Sequence, residues 1–380
     1  MSASAPSVTG LPPSASWLQR VAAPVVDPEV FDFWVQHLNP AWSWSRPLAT
    51  IVERRVEARD TVTLVLQLNR HVGGFLPGQH VNVSAEVNGR RVTRSYSLTN
   101  VPSSGRARPR RMSITVKRVE GGALSTHLVQ QARVGDVLGI GPAFGEMTLP
   151  AQPQGRWLFL AAGSGITPLM GLTRALAAQH MPVELTLLYW VKTHAELCFL
   201  QELRALSTRF PQFRLQVVVT HEAPTVTGEA QGLISAEQLA QLVPNLGEQQ
   251  VFACGPGGFV ETARELCAGH SQAFVAEGFT PAAPVALPAF SGTEARTVRV
   301  TLQRTGRELQ LSTGLSLLDA LEAEGLNPPS GCRMGVCHTC VCPRIEGTTQ
   351  DMQSGETQSE SDMAVRLCVS RACTDLTLDL

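Results

Sequence analysis

Hydrophobic and polar residues alternate in short runs across residues 48–149, and glycine, proline and asparagine separate the runs. A period of two is typical of strands with one buried face. One helical stretch interrupts the alternation, beginning near Ala123. The pattern therefore predicts a small antiparallel β-barrel. Its clearest strands are expected at residues 61–68, 81–87, 92–98 and 113–117.

A different pattern occupies residues 155–279, where apolar runs alternate with helical stretches. Such alternation predicts a parallel sheet covered by helices. Residues 280–294 are rich in Pro, Ala, Ser and Gly and predict a linker. A third unit begins at residue 297, with strands at 298–303 and 309–311 and a helix at 316–324. In the α/β unit, strands are expected at 157–161, 185–191, 215–220 and 250–253, and helices at 169–178 and 195–207.

A chain of 380 residues is too long for one ordinary core, so two or three domains are expected. The positions at which the hydrophobic pattern changes predict the domain boundaries. The predicted segments are a leader at 1–46, a β-barrel at 47–150, an α/β domain at 151–280, a linker at 281–295 and a C-terminal domain at 296–380.

The leader contains four of the six tryptophans of the chain. Residues 27–38 could form a short helix with Phe31, Trp34, Val35 and Leu38 on one face. Two interpretations stay open. The leader is either a lid packed over the next domain or an exposed patch for docking or membrane-surface contact.

Composition and charge narrow the function classes. The formal net charge is −1, so the chain lacks the basic field that nucleic-acid binding requires. The start has no signal-peptide pattern, and the longest apolar stretch, residues 157–172, is too short and too interrupted to span a bilayer. Five of the nine cysteines lie between residues 332 and 368, which favours a metal site in a reducing compartment. The cytoplasm is the expected location.

The cysteines carry the most specific signal. Four of them have the spacing C-x4-C-x2-C-x27-C, the plant-type [2Fe–2S] pattern with three thiolates on one loop and the fourth on a distant segment. Small residues such as Gly331 and Gly335 suit a loop that wraps a cluster. Structural zinc usually shows paired C-x2-C knuckles, and the x4 gap argues against it. The predicted ligands are Cys332, Cys337, Cys340 and Cys368, whereas Cys342 and Cys373 are expected to be structural.

Residues from about 297 to 380 thus resemble a plant-type ferredoxin domain, which implies a β-grasp fold. The four ligand positions of that family match the four cysteines just named. The resemblance implies a one-electron carrier at this end of the chain.

A second motif, Arg94-Ser-Tyr96-Ser97, ends a predicted barrel strand, and a glycine-led helix start comes about 25 residues later. An arginine can bind a pyrophosphate bidentately, and a tyrosine can stack on a flavin ring. Amides at a helix start can receive phosphate. The pair resembles the ferredoxin–NADP reductase superfamily. The resemblance implies flavin contacts at Arg94, Ser95, Tyr96, Ser97, Thr99, Lys117, Gly122, Leu124, Ser125 and Thr126.

The flavin is expected to be FAD. The helix start at Ser125-Thr126 resembles that of the FAD-binding members of the superfamily. Relatives that use FMN share the same order of domains. FMN is therefore the less favoured alternative.

The α/β domain carries two turns that resemble the nicotinamide domain of the same superfamily. One is Gly163-Ser-Gly165-Ile-Thr167-Pro168, which differs from the dinucleotide fingerprint because a proline replaces its third glycine. The other begins at Cys254. The resemblance implies nicotinamide or flavin contacts at Gly163, Gly165, Thr167, Cys254, Gly255, Pro256 and Phe279.

The choice of donor depends on the residues directly after the second strand of this domain. An acidic residue there favours NADH, and a basic one favours NADPH. The chain has Lys192 and Thr193, with no carboxylate before Glu196, so NADPH is favoured over NADH.

Taken together, the resemblances cover about 48–380 and imply a reductase that takes hydride from NAD(P)H onto a flavin and passes single electrons to the cluster. The side chains of Ser97, Thr167 and Cys254 would position and polarise the reacting cofactors. No residue would act as a nucleophile. The acceptor would be a separate redox protein.

Residues 38–43 resemble the N-terminus of reductases that serve membrane fatty-acid desaturases, which favours that acceptor and a peripheral contact with a membrane partner. A Rieske-type ring-hydroxylating oxygenase is the alternative. A non-enzymatic iron–sulfur redox sensor is an alternative of another class, and the oligomeric state stays open.

Overall fold

The computed structural model describes residues 28–102, 109–226, 228–279, 296–331, 333–335 and 337–380. The predicted linker and the predicted ligand Cys332 lie outside these residues. A helix, α1 (Pro28–Leu38), begins the described chain.

The first sheet is an antiparallel barrel in the strand order β4-β3-β6-β1-β2-β5. A bridge between Leu98 and Ile114 joins the end of β4 to β5, so the two edges of the sheet meet. The alternating residues fill one apolar core. Its elements are β1 (Leu48–Ala58), β2 (Thr61–Leu68), β3 (His80–Val87), β4 (Arg90–Ser97), β5 (Arg111–Lys117), α2 (Ala123–Thr126) with a π-helical turn His127–Gln131, and β6 (Val137–Phe144).

The second sheet is parallel, in the order β10-β9-β8-β7-β11-β12. Alternate residues of β7 enter two different cores, one on each face. Helices cover both faces, as parallel sheets require. The elements are β7 (Arg156–Ala162), α3 (Ile166–Ala178), β8 (Glu184–Val191), α4 (Leu200–Arg209), β9 (Phe213–Val219), β10 (Ala230–Gln231), α5 (Ala236–Leu242), β11 (Gln249–Gly255), α6 (Gly257–Cys267) and β12 (Ala273–Gly278).

The third unit has a five-stranded sheet in the order β14-β13-β20-β15-β18 and a three-stranded sheet β17-β16-β19. A helix packs on a core that includes Cys340 and Cys342. The elements are β13 (Thr297–Leu302), β14 (Arg307–Ser312), α7 (Leu317–Ala323), β15 (Val341–Glu346), β16 (Thr349–Asp351), β17 (Thr357–Gln358), β18 (Met363–Arg366), β19 (Ser370–Ala372) and β20 (Leu376–Leu378).

The predicted fold class is confirmed: a barrel, a parallel α/β sheet and a β-grasp unit succeed one another along the chain. One predicted helix was wrong in extent. Residues 195–207 were expected to be helical, but α4 begins only at Leu200. Phe199, just before it, has a left-handed backbone (φ 59°), and Leu197 to Phe199 turn their side chains into the core instead.

Candidate electron-transfer site

The residues predicted to hold the flavin lie on β4, at the rim of the barrel. The β3–β4 register places Ser95 opposite Asn82 and Ser97 opposite His80. Ser97 is buried, whereas Arg94 and Tyr96 are partly exposed. Burial raises the pKa of the Tyr96 phenol above its usual value, so the ring is neutral. A partly exposed guanidinium and a neutral ring at one rim suit a pyrophosphate and a flavin.

Two other predicted residues support the rim from neighbouring strands. Thr99 is fully buried, and its Oγ1 donates to the carbonyl of Ser113 at 3.2 Å. Lys117, at the end of β5, pairs with Glu196 of the α/β unit. The structure therefore assigns Lys117 a contact between two units that the sequence did not indicate.

The glycine-led helix start is a single turn of α-helix. Gly121 has a φ of +71°, which favours glycine. The Ser125 hydroxyl accepts from the Val119 amide at 3.1 Å and donates to the Gly122 carbonyl at 3.3 Å. A Cβ on Gly122 would lie 2.6 Å from that hydroxyl oxygen, so this tight turn needs a glycine. Leu124 is buried beneath it, and Thr126 ends the turn.

The two predicted nicotinamide turns lie against each other. Gly163 to Gly165 form a tight turn after β7, and the Thr167 hydroxyl donates to the Ser164 carbonyl at 2.9 Å. A Cβ on Gly165 would collide with the carbonyl of Cys254. Because β7 and β11 are neighbours in the parallel sheet, motifs about 90 residues apart converge at their carboxyl ends.

Glu277 and Phe279 of the α/β unit meet His80 of the barrel, and Cys254 lies opposite Glu277 on the neighbouring strand. His80 Nε2 lies 3.1 Å from a carboxylate oxygen of Glu277, and the Phe279 ring packs edge-on to the imidazole. Burial lowers the pKa of His80 to about 4 and raises that of Glu277 to about 7. Burial, followed by the charge of Glu277, raises the pKa of the Cys254 thiol well above its usual value. Imidazole and thiol are therefore neutral near pH 7.

His80, Glu277 and Asn82 were missed by sequence reasoning. His80 begins β3, the strand that pairs with β4, and Glu277 lies two residues before Phe279, so position alone could have marked both. The contact that the structure describes between them joins residues far apart in the chain, which is why local patterns did not reveal it. The Phe279 amide donates to the Gly255 carbonyl at 2.9 Å, and Pro256 comes directly after that glycine.

The predicted cluster ligands flank paired strands. Cys340 precedes β15, Cys368 follows β18, and these strands pair, which brings the two sulfur atoms within 3.2 Å. Contact with Cys368 lowers the pKa of Cys340, so its thiolate form is favoured. Cys337 interacts electrostatically with Cys340. Among the described residues, which exclude Cys332, no group of three metal-binding side chains converges.

The two thiols that were expected to be structural, Cys342 and Cys373, differ from the predicted ligands. Cys342 is buried, with its sulfur 3.4 Å from the Pro343 carbonyl oxygen, and burial raises its pKa to about 11. Burial also raises the pKa of Cys373. Gly331 fits the cluster loop, because a Cβ there would lie 2.8 Å from the sulfur of Cys337. The thiolate chemistry and the loop geometry suit a [2Fe–2S] cluster.

Lys192 lies just after β8 and is exposed, where a 2′-phosphate could reach it. Thr193, the next residue, has a buried hydroxyl oxygen without a hydrogen-bond partner in the described structure. Both observations suit a nucleotide-binding site at the carboxyl end of β8.

Three family models match the chain in the order of its sheets. They describe an oxidoreductase FAD-binding domain at residues 48–148, an oxidoreductase NAD-binding domain at 159–265 and a 2Fe-2S iron-sulfur cluster binding domain at 300–373. The class is thus a flavin- and nicotinamide-dependent oxidoreductase with its own [2Fe–2S] domain.

Similar proteins span nearly the full length. An NADPH oxidoreductase of Mycobacterium tuberculosis is 34% identical over 99% of this chain and 96% of its own. The glycine betaine monooxygenase reductase subunit of Pseudomonas aeruginosa is 28% identical, covering 90% of this chain and 98% of its own. The solved phthalate dioxygenase reductase shares the fold, with a TM-score of 0.56 at 24% identity over 88% of this chain and 97% of its own.

The chain belongs to the ferredoxin–NADP reductase superfamily, among its three-domain members with a C-terminal ferredoxin-type domain. It is an NAD(P)H-dependent flavoprotein oxidoreductase, and its cofactors are FAD, a [2Fe–2S] cluster and a nicotinamide donor.

Proposed function

We propose that the chain takes reducing equivalents from NADPH and delivers single electrons from its cluster to a separate oxygenase component. The observation that carries this proposal is that the barrel contacts both of the other units through one strand. Glu277 of β12 reaches His80. Asn82 of β3 donates to Thr339, in the loop that carries Cys337 and Cys340, at 2.9 Å. His80 and Asn82 are two residues apart on one strand.

The proposed roles rest on this arrangement. FAD held at β4 would supply the conversion of a two-electron hydride into single electrons, and a cluster held by Cys337, Cys340 and Cys368 would supply a one-electron acceptor. Arg94 would hold the pyrophosphate, and Tyr96 would cover the flavin ring. The hydroxyls of Ser97 and Thr167 would orient the reacting rings. Cys254, as a neutral thiol, would provide a packing surface and not a nucleophile.

NADPH is proposed as the donor, since Lys192 is exposed at the strand end and one relative is named an NADPH oxidoreductase. Replacing the lysine by alanine, Lys192→Ala, should raise KM for NADPH about 10-fold and leave KM for NADH within about 2-fold, because only NADPH carries the extra phosphate. Steady-state reduction of an artificial acceptor measures both constants. Equal effects on the two donors would contradict the assignment.

An oxygenase acceptor is proposed because several relatives are reductase subunits of monooxygenases acting on glycine betaine or a ketosteroid. The test is a pre-steady-state assay. Pre-reduced protein is mixed anaerobically with a purified Rieske-type oxygenase component, and bleaching of the Rieske centre is followed. A rate of Rieske-centre reduction that saturates with protein concentration supports the proposal. A rate no higher than that obtained with free flavin reduced by dithionite contradicts it.

A membrane fatty-acid desaturase is the second candidate acceptor. One side of α1 is held against the protein by Asp32, which is only 7% exposed. The Asp32 carboxylate accepts hydrogen bonds from the Ser43 hydroxyl and from the backbone amide of Trp44. The other side presents apolar side chains to solvent, with Trp34 66% exposed and Leu38 80% exposed. Such a patch could contact a membrane surface or a membrane-bound partner.

The double variant Trp34→Ser/Leu38→Ser tests this second candidate. It should lower transfer to a desaturase in phospholipid vesicles about 10-fold and leave reduction of cytochrome c within about 2-fold, because only the former uses the apolar face. Unchanged transfer would remove the desaturase from consideration. No helix in the described part of the chain has the length and apolar character to cross a membrane. Action in the cytoplasm remains part of the proposal.

A further inference from the structure

Asn82 lies on β3 between Val81 and Val83, whose side chains point into the core. Because side chains alternate along a strand, the side chain of Asn82 points away from the core. Pairing of β3 with β4 is continuous and places Asn82 opposite Ser95. Pairing of β3 with β6 shifts register at this point, and the extra residue lies on β6.

The side chain of Asn82 uses both of its polar atoms. Its Oδ1 accepts from the Ser95 hydroxyl at 2.6 Å, and its Nδ2 donates to the Thr339 hydroxyl at 2.9 Å. Ser95 stands between Arg94 and Tyr96, and Thr339 directly precedes Cys340. One amide therefore joins β4, the strand predicted to hold the flavin, to the loop that carries Cys337 and Cys340. The hydrogen bond to this loop links residues 257 positions apart in the chain.

The cluster loop is shaped to receive this side chain. A Cβ on Gly331 would lie 3.0 Å from both amide atoms of Asn82 and 2.8 Å from the sulfur of Cys337. The missing Cβ lets the asparagine and the ligand sulfur approach the same backbone. The contact is thus close packing on both sides as well as a hydrogen bond.

Electrostatics alone does not explain why the loop lies here. After burial, the positive charge of Arg333 on the loop is the next cause that lowers the pKa of Arg94, so two like charges lie near each other. Glu322 compensates in part, since it pairs with Arg333 and acts on Arg94 in the opposite direction. The contact between Asn82 and Thr339 is neutral and directional, so it can fix the loop independently of these charges.

We propose that Asn82 is a positioning residue that holds the loop of Cys337 and Cys340 against β4, and so fixes the separation between flavin and cluster. The inference rests on the proposed function, because it takes the flavin to lie at β4. Loss of the contact lowers the fraction of molecules with the loop in place, and transfer slows by the same factor. No redox step beyond the one already described is involved.

The test uses the full-length holoprotein and four variants: Asn82→Ala, Thr339→Val, Thr339→Ser and the double variant Asn82→Ala/Thr339→Val. Flavin bleaching and cluster reduction are followed separately after anaerobic mixing with NADPH. Asn82→Ala and Thr339→Val should each slow cluster reduction by up to about 10-fold, the limit for one lost hydrogen bond. Flavin bleaching should be unchanged in Thr339→Val, which leaves the contact between Asn82 and Ser95 in place. Thr339→Ser keeps the hydroxyl and should transfer like the parent chain.

Two further readouts separate positioning from other effects. Hydrogen exchange of the cluster-loop amides should increase in Asn82→Ala and Thr339→Val but not in Thr339→Ser. The cluster midpoint potential should not change in Asn82→Ala, because the amide donates to the Thr339 hydroxyl and accepts from Ser95 and so makes no hydrogen bond to a ligand sulfur. The double variant should be no slower than the slower single variant, since both remove the same bond.

Several results would overturn the inference. One is parent-like cluster reduction in both Asn82→Ala and Thr339→Val; multiplying effects in the double variant or a shifted potential in Asn82→Ala would overturn it equally. If one of the single variants fails to fold, the other decides alone. Failure of the proposed function is distinguishable, because then NADPH would not bleach the flavin of the parent chain.

Discussion

Cys340 and Cys342 stand two residues apart, yet their environments differ. Contact with Cys368 lowers the pKa of the first thiol, and burial raises that of the second to about 11. We expect Cys340→Ser to lose the cluster, since the thiolate is the ligand, and Cys342→Ser to keep it. Iron and sulfide content with the visible spectrum measures this. Full iron content in Cys340→Ser would contradict the ligand assignment.

His80 and Glu277 give opposite pH dependences of stability. The pKa of Glu277 rises from 4.5 to about 7 on folding, so its stabilising effect is present below pH 4.5 and is lost as pH rises through about 7. The pKa of His80 falls from 6.5 to about 4, so its effect is present above pH 6.5 and is lost as pH falls through about 4. Burial of both groups in one interface is the common cause.

Replacing the glutamate by its neutral isostere, Glu277→Gln, isolates one of these effects. The free energy of unfolding of the variant, relative to the parent, should rise by up to about 3 kcal/mol between roughly pH 5 and pH 8. Denaturant unfolding at several pH values measures the difference. Glu265→Gln, at an exposed site on α6, is the matched control. A pH-independent difference for Glu277→Gln would show that this carboxyl is ionised throughout.

At the scale of elements, α3 is the helix that joins the nicotinamide turn to the barrel. Gly171 faces the barrel, and a Cβ there would lie 2.5 Å from the carbonyl oxygen of Leu98. That carbonyl belongs to the residue after β4, so the approach of the helix sets the rim where the flavin is proposed to bind. The backbone oxygen cannot move aside as a flexible side chain could.

The variant Gly171→Ala should therefore destabilise the protein by about 1–3 kcal/mol and weaken FAD retention. Gly258→Ala is the control, because no atom outside its chain neighbours and the backbone of its own helix lies within 4 Å of a Cβ at that position. There, alanine should be neutral or stabilise by up to about 1 kcal/mol. Thermal unfolding and flavin content after gel filtration measure both. Equal behaviour of the two variants would show that the close approach is unimportant.

Element type was predictable from sequence where periodicity was strong. The strand predicted at 61–68 is observed with those bounds, and the helix predicted at 169–178 is observed as Ile166–Ala178. The start of α4 was missed because tertiary packing of Phe199 overrides local helix preference. Two predicted flavin residues, Ser95 and Lys117, make contacts to Asn82 and Glu196 that no local pattern encodes.

The cluster motif and the two nicotinamide turns were predictable because they are short and chemically specific. The partners of the barrel were not. His80 meets Glu277, and Asn82 meets Thr339, across roughly 200 residues or more in each case. Such pairs depend on how domains pack, which alternation and spacing within one domain do not determine.

At the scale of the whole molecule, the barrel precedes the other two units in the chain and contacts both of them. The barrel contacts the α/β unit through His80 and Glu277, and it contacts the cluster loop through Asn82 and Thr339. Because β3 carries both contacts, a single strand connects the unit proposed to bind the hydride donor to the unit proposed to carry single electrons. Transfer from flavin to cluster is therefore expected within one chain.

Stopped-flow mixing of the anaerobic holoprotein with NADPH tests this most directly, with the flavin and the cluster followed at several protein concentrations. The flavin should bleach first, and the cluster should then be reduced at a first-order rate that does not depend on protein concentration. A cluster that stays oxidised after the flavin has bleached, or a rate proportional to protein concentration, would contradict transfer within one chain.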